Sequence, residues 1–194
     1  MPYPNCYEPD ADRLLQAHSL LATNAVEAVR ELEALAAAQS TLAPLYLGWA
    51  YQKGDGVIQD TTQAEHWFKT ALARGDATSS YYLGHLYGKL SLHQKASDAF
   101  ERGSELGYLP STYCLAMNIR EGKGRPIDMN RVLQLLTTAS TMGHVFARRS
   151  LATLYLSGRF GLAKYLFGMW LFASSIAKGF YLSILRADDS HLLA

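Results

Sequence analysis

The chain has 194 residues, 49% of them hydrophobic and 18% charged, with a formal net charge of +1. A chain of this composition folds, and its near-neutral balance excludes a global field that would gather nucleic acid. Cys6 and Cys114 stand 108 residues apart, so they make neither a disulfide framework nor a metal-ligand spacing.

In chain order, MPYPNCYEPD lacks the positive-then-apolar pattern of a secretion signal, and the expected compartment is cytoplasmic. Residues 1–41 form a first segment whose stretch 10–40 is helical by pattern. In NAVEAVRELEALAAAQ, Asn24 is placed to cap a helix with Glu27 three residues on, and alanine and leucine favour the helix that follows. A helix pair here would close the first end of what comes next.

From residue 42 the sequence repeats. Glycines end successive blocks at Gly75, Gly107, Gly143 and Gly179, at intervals of 32, 36 and 36 residues. The blocks run 42–75, 76–107, 108–143 and 144–179. Each opens on an apolar cluster with a small residue inside it: Leu47-Gly48, Leu83-Gly84, Leu115-Ala116 and Leu151-Ala152. Each closes on a set with helical offsets of 0, 3, 4 and 7, first Ala64, Trp67, Phe68 and Ala71, last Gly168, Leu171, Phe172 and Ser175. The block reads as helix A, loop, helix B, terminating glycine. A mid-helix glycine costs about 0.5–1 kcal/mol relative to alanine, so Gly48 and Gly84 predict a close helix contact.

The first loop holds Gly54 and Gly56. A phosphate loop would continue into Lys-Ser/Thr or follow a strand, and neither is present. The two glycines are expected to supply positive φ in a tight turn, with Asp60 capping helix B and Gln63 as its partner three residues on. Block two has lost this segment, and Ser91 is expected to replace the cap. Block three keeps Gly122, Gly124 and Asp128. Block four has Lys164 where the cap belongs, so its helix B is expected to start differently, extending through residues 160–166. Residues 180–194 read as an amphipathic helix and tail covering the other end.

These motifs resemble the SEL-one-like repeat (SLR) family, relatives of the tetratricopeptide repeats. The family unit runs A-x-x-x-L-G-x-x-Y, G-x-G-V-x-x-D, A-x-x-W-F/Y-x-x-A, then glycine. Block one carries Leu47-Gly48, Tyr51, Gly54, Gly56-Val57, Asp60, Ala64, Trp67-Phe68, Ala71 and Gly75; the later blocks are degraded copies. The resemblance implies an all-α, right-handed solenoid of helix-turn-helix repeats with capping helices, in which stacked pairs share one core. It implies a protein-protein interaction module, an adaptor, scaffold or inhibitor, and no enzyme. By analogy with tetratricopeptide arrays, A-helix positions flanking the Leu line a concave groove for a protein or peptide. Those are Leu45 and Trp49, Tyr81 and His85, Tyr113 and Met117, Arg149 and Thr153, with Tyr46 and Tyr82 beside them.

Catalytic signals are weak by comparison. The six histidines never fall three or four apart, and no metal or other cofactor is expected. Glu65, Asp98, Glu101 and Glu105 suit a solvated helix-B face. Arg120, Lys123, Arg125 and Arg131 form a basic stretch whose first reading is a solvated loop. An enzyme or small-molecule binder using the groove is the alternative reading. The most apolar stretch, 162–185, holds 13 uncharged residues between Lys164 and Lys178, short of the roughly 20 needed to span a bilayer, so membrane contact is not favoured. Leu166, Phe167, Met169, Trp170, Leu171, Phe172 and Ile176 cannot all face one neighbour, which predicts a partner or self-association surface there.

Overall fold

The computed structural model describes residues 8, 10–158 and 160–174; Cys6, the terminal glycine Gly179, Ile176 and the expected helix at 180–194 lie outside them. The described residues form α1 (Ala11–Leu20), α2 (Ala25–Ala37), α3 (Ala43–Lys53), α4 (Thr61–Ala73), α5 (Thr78–Lys89), α6 (His93–Glu105), α7 (Leu109–Glu121), α8 (Met129–Thr141), α9 (Val145–Leu156) and α10 (described over 162–174). Two compact units result, residues 1–111 with 123–125, and residues 112–122 with 126–194.

In the first unit each helix packs on its chain neighbour from α1 to α6. One core draws Leu14 and Ala17 from α1, Val29, Leu32, Leu35 and Ala36 from α2, and Ala43, Leu47 and Ala50 from α3. The helical offsets of block one bury Ala64, Phe68 and Ala71; those of block two bury Ala96, Ala99, Phe100 and Gly103. The small residues of the A helices receive the rings of the B helices. A Cβ on Gly48 would lie 2.5 Å from Phe68 Cδ1, and one on Gly84 would overlap the Phe100 ring. In the second unit α8 packs on α9, and Val132, Leu135, Leu136 and Ala139 are buried.

The caps divide between expectation and correction. Asn24 accepts from Glu27 N at 3.4 Å. Asp60 accepts from Thr62 N and Gln63 N at 2.8 and 3.1 Å, but its own N–H goes to Tyr51 O at 3.0 Å, not to the Gln63 side chain. Asp128 repeats the cap on α8. Ser91 does not cap α6, whose N-cap is Leu92 with no side-chain bond. Instead Ser91 closes α5 in the left-handed region at φ 59°, with Leu92 N donating to Tyr87 O at 2.9 Å. Gly75, Gly107 and Gly143 hold that same place at φ 95°, 79° and 95°, and Gln39 holds it after α2 at 66°. A side chain is strained there and glycine is not. Ser91→Gly and Gln39→Gly are therefore expected to stabilise the protein by about 0.5–1 kcal/mol each, read as a higher urea midpoint at unchanged m.

The fourth helix B starts at 162, three residues ahead of its register, so the expected early start holds from 162. Phe160 stays outside, because Gly161 turns the chain at φ 83°.

Both Gly-x-Gly loops do more than turn. Gly54, Gly56, Gly122 and Gly124 all have positive φ, between 69° and 85°. In addition, the second glycine of each pair lies flat against the first turn of an earlier B helix. A Cβ on Gly56 would overlap the Ala25 carbonyl at the start of α2; one on Gly124 would overlap the His93 carbonyl at the start of α6. Ser97 Oγ fixes the second docking by donating to Lys123 O at 2.9 Å.

Candidate functional site

In the first unit the aromatic residues of α1, α3 and α5 touch in sequence. His18 meets Tyr46 at 4.7 Å between centroids, Tyr46 meets Trp49 at 5.4 Å, and Trp49 meets Tyr82 edge-on at 4.9 Å. Tyr82 meets Tyr81 at 5.4 Å, and Tyr81 meets His85 at 4.3 Å and Tyr108 at 6.1 Å. Tyr46, Trp49, Tyr81 and Tyr82 are half-buried and His85 is exposed. Edge-to-face contacts of this kind hold rings rigid while leaving part of each surface open. Trp49, Tyr81 and His85 thus fall on one continuous strip.

Leu45 does not. It is 5% exposed, so it has no surface to offer a partner, and its assignment to the groove is corrected to a packing role. Sequence period shows that Leu45 shares a face with Trp49; it does not show which of the two a neighbouring helix covers.

Tyr113, Met117, Arg149 and Thr153 belong to the second unit. Tyr113 and Met117 are half-buried, and Arg149 and Thr153 are exposed. Tyr113 packs on His144 at 5.2 Å and Phe146 at 6.3 Å. His144 Nδ1 accepts from Ala147 N at 3.1 Å and so caps α9.

The charge state of these groups follows from their surroundings. Although part of its surface is open, the His85 ring is desolvated where it packs by Tyr81 and Phe100, and this, then Lys89, holds the imidazole below its ordinary value, so the strip carries a neutral ring at pH 7. Burial does the same to His144. A neutral Nδ1 accepts the Ala147 N–H and a protonated one cannot. Because the folded value is depressed, the unfolded chain binds more protons, and stability falls as pH drops through the ordinary histidine value near 6.5. Acidification from pH 7.5 to 5.5 is therefore expected to lower stability, because the unfolded chain takes up the proton first while the folded ring stays neutral longer and keeps its cap. His144→Asn keeps an uncharged cap and is expected to flatten that part of the pH profile in urea titrations. Burial pushes the Cys114 thiol up to about 12, far from the range of a reactive thiolate.

One buried residue before α5 is absent from the sequence reading. Asp76 is fully buried and accepts from Thr78 N at 3.1 Å and Ser79 N at 2.9 Å at the start of α5. Burial raises its pKa, and those hydrogen bonds pull the other way. Burial first, and then charges that include Asp76, also raise the Tyr46 and Tyr82 phenols. The signal was legible: a cap residue after Gly75 with a serine three positions on.

The polar groups read as solvated are partly used within the fold. Arg125 donates to Asp98 at 2.8 Å and to Glu101, and Tyr87 OH donates to Glu65 at 2.8 Å. Among the described residues no three His, Cys, Asp or Glu side chains converge as a metal site would need, and no helix is long and apolar enough to cross a membrane. Among the described residues of the apolar set on α10, Leu171 is buried, while Leu166, Phe167, Met169, Trp170 and Phe172 are exposed.

No family model matches the chain, and no curated protein matches it. Among solved structures it is similar to a Sel1 repeat protein from Oxalobacter formigenes, at 21% identity and a TM-score of 0.70, over 84% of this chain and 69% of that one. It is equally similar to a protective antigen of uropathogenic Escherichia coli displaying an SLR fold, at 22% identity and TM-score 0.70; that match covers 86% of this chain and only 38% of the antigen. MamA superposes at TM-score 0.58 with 16% identity, over 86% of this chain and 96% of that one. Helix pairs ended by left-handed glycines, rings seated on mid-helix glycines and these superpositions lead to one conclusion: the chain has the all-α solenoid fold of SLR proteins.

Proposed function

We propose that the chain is a non-catalytic protein-interaction module, an adaptor, scaffold or inhibitor of the cytoplasm, that holds a partner protein or peptide on the A-helix strip of its first unit. The observation that carries this reading is the unbroken run of rings from His18 to His85. Rigid, partly exposed aromatic side chains give large contact area at low entropic cost, and such residues dominate binding energy at protein interfaces. The neutral His85 suits an apolar or uncharged polar partner surface. Tyr113, Met117 and Arg149 hold the corresponding sequence positions in the second unit and are proposed as additional contacts.

The test is affinity capture with the intact chain, followed by quantitative binding of whatever partner is recovered. Tyr81→Ser and His85→Asp are expected to weaken binding at least tenfold with helicity unchanged, while Glu105→Ala on the exposed side of α6 leaves it intact. Equal loss in all three variants, or in none, removes the strip as the binding surface.

A further inference from the structure

The second unit contains a cavity that the aromatic strip does not explain. It opens between α8 and α10 above α9 and has a volume of about 340 Å³. Its walls are mainly apolar, from Leu151, Tyr155, Phe167 and Trp170, and Ser140 and Thr141 add hydroxyls at one side. Two cations complete it. The Arg148 guanidinium lies over the Trp170 ring, 5.9 Å from the centroid, and donates to Ser174 Oγ at 2.5 Å. Arg148 Nε is buried with no acceptor. Lys164 Nζ stands 5.2 Å from the centroid of Tyr155. Among the described residues neither cation is paired with a carboxylate.

We propose that this cavity binds a small organic acid, with its carboxylate drawn to Arg148 and Lys164 and its apolar or aromatic body laid against Phe167, Trp170 and Tyr155. Three observations converge on that ligand class. The volume is that of a small-molecule site. Arg148 lines the cavity half-buried, and a guanidinium is the cation whose donors match a carboxylate. A neutral ligand would leave both charges unanswered, and the mainly carbon walls suit an anion that carries an apolar body. Phe167 and Trp170 are 44% and 59% exposed, so a ligand reaches them without unpacking the core.

The proposal is tested by calorimetric titration of the full chain with 4-phenylbutyrate and, separately, with its uncharged amide. The acid is expected to bind one site saturably in the sub-millimolar range, and the amide roughly tenfold or more weaker. Lys164→Gln, an exposed change that leaves the fold intact, is expected to weaken the acid roughly tenfold and leave the amide unchanged. Trp170→Ala is expected to weaken both. Equal affinity for acid and amide, full affinity in Lys164→Gln, or no saturable binding by about 5 mM acid overturns the proposal.

Discussion

Gly56→Ala and Gly124→Ala are each expected to destabilise the first unit by about 3–5 kcal/mol, a third or more of the stability of an ordinary domain. Two penalties add at these positions. The backbone is left-handed, at φ 74° and 70°, which a side chain tolerates at a cost of about 1–2 kcal/mol. The added Cβ also meets main chain, not a movable side chain: Val26 N at 2.8 Å beside Gly56, and Gln94 N at 2.6 Å beside Gly124, with the Ala25 and His93 carbonyls nearer still. Relief would require lifting the loop from the first turn of α2 or α6. Gly75→Ala and Gly107→Ala supply the control. Their φ values are larger, 95° and 79°, yet nothing lies within 4 Å of the added atom, so only the conformational cost of about 1–2 kcal/mol remains. Urea unfolding followed by circular dichroism should separate the two pairs clearly. If all four variants lost the same stability, close docking of the loops would be irrelevant and φ alone would explain the glycines.

That contrast also marks what the sequence carried. The period, the glycines in left-handed positions and the Asp60 and Asp128 caps were legible, because each depends on residues close in the chain. The docking of Gly56 on Ala25 was not, since 31 residues separate them and only the packed helices bring them together. The same limit explains Leu45. Alternation of apolar and polar residues says which side chains share a face, and Trp49 and Leu45 share one, but coverage by a neighbour decides exposure. Ser91 was misread for a different reason. Serine is a common N-cap, and a loop four residues shorter than its counterpart left it two residues before α6, where it serves the end of α5 instead. At the site, the rings of α3 and α5 follow from the repeat register, whereas His18 and Tyr108 join the strip only through contacts between segments far apart in the chain.

Exchanging Gly48 and Phe68 together is expected to restore most of the stability that either change loses alone. Alanine in place of Gly48 should favour the helix by about 0.5–1 kcal/mol, so any net loss comes from its collision with Phe68 Cδ1 and Cε1, both 2.5 Å from the new atom. Overpacking of that kind outweighs the propensity gain by about 1–3 kcal/mol. Phe68→Leu alone leaves a gap over the glycine and is expected to lose a further 1–3 kcal/mol or so. The two defects are complementary in shape, and block three supplies the precedent, with Ala116 and Leu136 in the same register and both fully buried. Gly48→Ala with Phe68→Leu should therefore lie within about 1 kcal/mol of the native chain, a coupling of at least that size in a double-mutant cycle. Simple additivity of the two losses would show that the ring and the glycine do not constrain each other. Recognition should not recover with stability. Phe68 stacks on Tyr82 at 5.9 Å and 18°, and Tyr82 in turn supports Trp49. With leucine at 68 that support is lost, so the double variant is expected to fold well and bind its partner several-fold more weakly. Stability and binding measured on one protein then distinguish a ring that fills a core from a ring that also positions the strip.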